Sequence, residues 1–258
     1  MNSAGNLVAL HTIVRREIVR IMRIWTQTLI PPAITMTLYF VIFGKLIGSR
    51  IGTIEGGFTY MQYIVPGLVM MSIITNSYGN ISSSFFGAKF SRAVEEMLVS
   101  PMPNWVILLG YVTGAVTRGV IVGALVLLIA LFFTHLHVVH PLITVASVIL
   151  GATIFSLAGF VNAVYAKKFD DIALVPTFVL TPLTYLGGVF YSVSMLGEPW
   201  RTISMVNPIL YMVNAFRFGV LGTSDVQIGV AFAVMLAFVI GLTVVALQLL
   251  KRGIGLRS

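Results

Sequence analysis

The 258-residue chain has no cysteine, which excludes disulfides, thiol catalysis, iron–sulfur clusters and Cys-type zinc sites. Charge is scarce as well: 9% of residues are Asp, Glu, Lys or Arg, and only 8 are acidic, against roughly 25% charged in ordinary soluble domains. So little polar surface cannot cover a water-facing globule. A soluble enzyme, a nucleic-acid-binding domain and a disordered chain are therefore excluded. The alternating ten-residue pattern of a membrane barrel is missing, as are GxxxxGK[ST], HExxH and GxSxG. The chain is expected to cradle no ATP phosphates itself. No connection exceeds about 35 residues, too few for a soluble catalytic domain. The first 24 residues lack the apolar core of a cleavable signal peptide.

What the chain has is hydrophobicity, at 58% of residues and a mean hydropathy of +0.99. The expectation is an all-α membrane protein, one transmembrane domain over 1–258. Six apolar stretches can cross about 30 Å of hydrocarbon: 25–47, 60–86, 106–133, 142–165, 172–193 and 228–250. Eleven basic residues fall on one side (Arg15, Arg16, Arg20, Arg23, Lys89, Arg92, Lys167, Lys168, Lys251, Arg252, Arg257). Four fall on the other (Lys45, Arg50, Arg201, Arg217), and Arg118 alone lies well inside a span. The positive-inside rule then puts both termini in the cytoplasm. The net charge of +8 reads as loops held against anionic lipid.

Three segments are not simple spans. Residues 7–25 read as an interfacial amphipathic helix: Leu7, Leu10, Val14, Ile18, Ile21 and Trp25 on one face, and Thr12, Arg16, Arg20, Arg23 and Gln27 on the other, turned to water and lipid phosphate. The loop 87–104 spaces Phe90, Val94, Met97 and Leu98 for one helical face that needs a cover, either bilayer or partner. The stretch 194–227 is apolar yet broken by Pro and Gly, and reads as short re-entrant-like helices in the outer leaflet.

Polar residues inside the spans form two stripes: Ser72, Asn76, Asn80 and Ser83 in the second, Thr177, Thr181, Thr184 and Tyr185 in the fifth, where Pro176, Pro182 and Gly187-Gly188 interrupt the helix. Such stripes line a path or a dimer seam, or simply bond helices together. Arg118 reads as snorkelling toward the cytoplasmic headgroups, with a substrate-anion role as the alternative. Gly110, Gly114, Gly119 and Gly123 permit close helix approach. His135, His137 and His140 are a weak metal candidate without an adjacent carboxylate. Asp170 and Asp171 beside Lys167 and Lys168 read as the solvated start of the fifth helix, where acids suit its dipole.

In order and spacing these features resemble the permease subunits of ABC-2 type exporters, most of all those of bacterial inner membranes. The resemblance rests on Arg92-Ala-Val-Glu95-Glu96-Met97-Leu98-Val-Ser-Pro101 and on Pro182-Leu-Thr-Tyr-Leu-Gly187-Gly188-Val-Phe190-Tyr191. Pro199-Trp200, Asn207-Pro208-Ile-Leu-Tyr211 and Arg217 complete it. Glu198 departs from a Pro common among relatives, so the external turn is expected to differ. The resemblance implies a homodimeric permease driven by two copies of a separate ATP-binding subunit, which carries the ATP and Mg; no cofactor or metal is expected on this chain. It also implies a coupling helix at Arg92, Glu95, Glu96, Met97 and Leu98 and an external gate at Trp200, Asn207, Pro208, Tyr211 and Arg217. The substrate is an unspecified amphipathic molecule. A secondary transporter or channel without an ATPase is the competing reading; an enzyme of lipid chemistry is the weakest.

Overall fold

The computed structural model describes residues 3–52 and 57–255; Arg257, counted above for topology, lies outside them. Among the described residues the chain is helical, with no extended strand. In chain order the helices are α1 (Ser3–Arg23), α2 (Trp25–Ile51), α3 (Tyr60–Phe90), α4 (Ala93–Val99), α5 (Asn104–Ala130), α6 (Pro141–Tyr165), α7 (169–185), α8 (Trp200–Val206), α9 (Pro208–Leu221) and α10 (Ile228–Arg252).

Four of these, α2, α5, α6 and α10, are long and apolar enough to cross a membrane. The second expected span, α3, is 31 residues long but studded with Ser, Thr and Asn. It can be polar because it is central. Its flanks pack on α5 and α6 and it also meets α9, so its polar groups meet protein rather than lipid. A reciprocal cap starts it: Thr59 Oγ1 accepts from Gln62 N at 3.3 Å, and Gln62 Oε1 accepts from Thr59 N at 3.0 Å.

The fifth expected span, 172–193, is corrected. Helix α7 widens to π geometry over Pro176–Leu180 and stops at Tyr185. Pro176 and Pro182 supply no N–H to the helix ladder, and Gly188 takes φ +68°, a left-handed value that bends the chain back. The returning strand of backbone presses on α3 at Gly67, where a Cβ would lie 2.5 Å from the Val189 carbonyl oxygen. The interruption falls where Pro176, Pro182 and Gly187-Gly188 mark it in the sequence; apolarity continuous to 193 set the expected end of the span too late.

The buried apolar residues form two layers. One joins α2, the first half of α3, α9 and the start of α10; the other joins α1, α4, the second half of α3, the first half of α5 and the end of α10. Helix α5 is clamped between α1 and α3 by glycines on opposite faces. A Cβ on Gly110 or Gly114 would come within 2.5 Å of Ile13 or Glu17, whereas one on Gly119 or Gly123 would strike Ser77 or Ile73. Spacing of nine residues turns a helix by half a revolution, so the two pairs serve two neighbours.

Candidate functional site

The end of the bundle at α1 and α4 is organised by a residue absent from the sequence-based candidates. Glu17, the one acid of α1, is 1% exposed. Both its oxygens accept from Ser84 Oγ at 2.7 Å, and Oε2 takes Arg20 at 3.0 Å. Arg20 continues to Asn80 Oδ1 at 2.8 Å, and Arg16 bonds the Tyr111 hydroxyl while its guanidinium lies 5.2 Å from that ring. This corrects the expected interfacial geometry. Arg16, half-exposed, and Arg20, partly buried, reach with their guanidinium ends to Tyr111, Glu17 and Asn80, while Arg23 is exposed. Leu7, Val8, Val19, Met22 and Trp25 are exposed instead. An outward face of this kind suits lipid rather than water. The missed signal was Glu17 itself, a lone acid among four arginines.

The α3 stripe is thereby divided. Asn80 belongs to the α1 network and Ser83, exposed, bonds the Gly79 carbonyl at 2.8 Å. Ser72 and Asn76 bond their own helix backbone and line a groove of about 350 Å³ between α2, α3 and α5. Arg118 also lines this groove. On α7, Thr177, Thr181 and Tyr185 face outward while Thr184 is buried. The hydroxyls of Thr177, Thr181 and Thr184 return to carbonyls of the same helix at 2.7–2.9 Å. Within one chain Thr177, Thr181 and Tyr185 sit on open surface rather than against the α3 stripe.

The 87–104 loop folds as α4. Its apolar face is covered by the bundle itself: Val94 is fully buried, and Met97 and Leu98 pack partly buried against the same layer. Outward it shows Arg92, Glu96 and Val99. Arg92 turns the corner from α3 at φ +62°, unusual for a residue with a Cβ. Lys89 beside it donates at 2.7 Å to the carbonyls of Val164 and Ala166, capping the C-terminus of α6 where a cation suits the dipole. Phe90 is exposed yet meets Phe86 and Phe169 ring to ring. Across the same end, Asp171 Oδ2 accepts the backbone N–H of Lys167 at 2.8 Å and Lys168 at 3.0 Å, which holds its carboxyl below the usual carboxylate range. Asp170 and Asp171 both lie in the first turn of α7, as read from the sequence.

At the opposite end, where α9 meets the α7 return, Arg217 is 1% exposed. It donates to the Gly188 carbonyl at 2.6 Å, lies over the Tyr63 ring at 4.0 Å and reaches Asp225 at 4.0 Å. Asp225 also accepts from Ser192 Oγ at 2.7 Å and Val193 N at 3.1 Å, so one ion pair holds the α7 return, α9 and α3 together. Asn207 caps α9 through Ile209 N at 3.0 Å and bonds the Leu183 carbonyl; Pro208 sits in the first turn. Tyr211 donates to the Met205 carbonyl at 2.7 Å, and Trp200 is exposed at the start of α8. Glu198 accepts from Thr202 Oγ1 at 2.6 Å, binding the departed position to α8. His140 stacks on Phe218, and among the described residues no three His, Cys, Asp or Glu are grouped to hold a metal.

Apolar helices around a polar central helix, with a tethered segment at each end, suit a transport body. The family model described as ABC-2 type transporter matches residues 8–221. The chain belongs to that family. The permease is 57% identical over 251 residues to "Inner membrane transport permease YadH" of Escherichia coli strain K12, covering 97% of this chain and 98% of the relative. It is 21% identical over 216 residues to "Nodulation protein J" of Rhizobium leguminosarum bv. viciae, covering 83% of each. The match to the family model reaches from within α1 to the end of α9, so it takes in Glu17, Ser84 and Arg217 and stops short of Asp225.

Proposed function

We propose that this permease is the membrane-spanning half of an ATP-driven exporter of the bacterial inner membrane. Two copies pair and bind two copies of a separate ATP-binding subunit, which supplies ATP and Mg. Each copy crosses six times, α3 and α7 joining the four apolar spans, with both termini cytoplasmic. The substrate is amphipathic and passes between the α3 and α7 stripes of the paired copies.

The observation that carries this reading is the family match to a chain whose sequence lacks a phosphate-binding loop. The likeness to a named inner-membrane permease supports the location. The outward set of Thr177, Thr181 and Tyr185 supports a seam, since intramembrane polar groups usually face protein. Arg92, Glu95, Glu96, Met97 and Leu98 form the coupling element: Met97 and Leu98 root α4 in the bundle and Arg92 and Glu96 face out. The left-handed Arg92 supports it, because strained backbone persists where an arrangement is needed. Trp200, Asn207, Pro208, Tyr211 and Arg217 shape the external gate. Closure of the ATPase pair on ATP pushes α4 and opens the dimer outward.

The test is purification of the tagged chain from its host in mild detergent, with mass spectrometry of everything bound. An ATP-binding subunit at one copy per permease is expected. A homo-oligomer lacking any ATPase after gentle cross-linking would overturn the reading in favour of a secondary transporter.

A further inference from the structure

The groove beside α2 contains a charge that meets no ion-pair partner among the described residues. Arg118 lies on α5 one helical turn beyond Gly114, the glycine against Glu17, and so about 6 Å deeper than the α1 tether. Its Nε is buried without a hydrogen-bond partner, and among the described residues it makes no ion pair. Glu17 already holds Arg20 at 3.0 Å and Ser84 at 2.7 Å. An unpaired guanidinium below the headgroup level is costly unless an anion meets it.

The other walls describe the rest of such an anion's carrier. Pro31 and Pro32 withhold the N–H groups that the carbonyls of Gln27 and Thr28 would accept in an unbroken helix, leaving acceptors beside the groove. Thr35, Thr75 and Asn76 add small polar groups. Outside it, α2 exposes Ile30, Ile34 and Leu38, each about half accessible, an apolar track along which a tail can lie.

We propose that this groove binds the head of an anionic, hydroxyl-bearing amphiphile from the inner leaflet. Arg118 binds the phosphate or carboxylate, the α2 carbonyls accept from the hydroxyls, and the acyl chain runs over Ile30, Ile34 and Leu38. The proposal deepens the transport reading by naming the class of molecule, and rests on that reading only in taking the occupant as cargo.

The purified chain in detergent is titrated with phosphatidylglycerol and with phosphatidylcholine, and bound lipid is counted by native mass spectrometry. The natural chain should prefer phosphatidylglycerol by about tenfold, as one charge-assisted pair allows. Arg118→Gln should abolish the preference, Arg118→Lys keep part of it, and Arg201→Gln, exposed on α8 away from the groove, keep all of it. Should Arg118→Gln not survive purification, Thr35→Trp fills the groove with Arg118 intact and should lower binding as far. Full preference in Arg118→Gln or in Thr35→Trp overturns the site. Inorganic phosphate competing as well as the lipid overturns the amphiphile and leaves a plain anion site. Lipid preference without a co-purifying ATPase would sink the exporter reading alone; an ATPase without lipid preference would sink this proposal alone.

Discussion

Both ends of the bundle pair an arginine with an acid, but they do so differently. At the α1 end the carboxylate is buried and its arginines reach outward: Glu17 is 2% exposed in its side chain, Arg16 48% and Arg20 30%. At the α9 end the arginine is buried and the acid reaches outward, Arg217 at 1% and Asp225 at 18%. Both Glu17 oxygens are hydrogen-bonded, through Ser84 and Arg20, whereas Arg217 Nε and Nη1 lack a hydrogen bond and Nη1 meets Asp225 only as an ion pair at 4.0 Å. The first arrangement is a tether that solvent or lipid phosphate can compensate when it opens. The second is a bolt whose opening strands a charge, which suits a segment that must hold shut until driven.

The largest effect should come from the bolt. Asp225→Ala leaves Arg217 buried with a carbonyl and a ring and should cost about 3–5 kcal/mol, read as a fall in thermal stability in detergent. Arg217→Met with Asp225→Ala should recover part of that loss. Next comes the tether: Glu17→Ala should cost about 1–3 kcal/mol, since Arg16 and Arg20 can turn outward. If Glu17→Ala proves costlier than Asp225→Ala, the contrast between the ends is reversed.

Gly114→Leu should act on the same tether from the other side, costing about 1–3 kcal/mol by overpacking, and should weaken a cross-link between positions 13 and 110. Gly79→Ala, whose Cβ meets nothing within 4 Å, should instead stabilise α3 by about 0.5–1 kcal/mol. Loss of transport in that variant without loss of stability would place the α3 surface at a seam between copies. The smallest effect is electrostatic. The Asp171 carboxyl is held below its ordinary value by two backbone N–H groups, so the turn it caps is supported above the ordinary carboxylate range. That support is lost as pH falls through the depressed folded value. Exchange of the Lys167 and Lys168 amides should quicken there, and Asp171→Asn should remove the dependence.

Composition made the membrane legible, and the long apolar runs made α2, α5, α6 and α10 legible, because lipid imposes length and apolarity together. In α7 the interruption was legible from Pro176, Pro182 and Gly187-Gly188, but the reversal of the chain after Tyr185 was not, since it depends on the positive φ of Gly188. The Gly-xxx-Gly pairs in α5 were readable as packing, but not that they face opposite neighbours. Glu17 was overlooked because a helical wheel averages a single acid into a basic face; its value comes from Ser84 and Asn80, more than sixty residues away. Arg217 was found through the resemblance. Its partner Asp225 lay in a turn with no periodicity to mark it.

The most direct test of the account places a photo-crosslinking amino acid at Glu96 on α4 and, separately, at Ser194 beyond the α7 return, in cells expressing the tagged chain. The account predicts an adduct with an ATP-binding subunit from position 96 and none from position 194. An adduct from position 194, or none from 96 in a chain that still co-purifies with its ATPase, would contradict it.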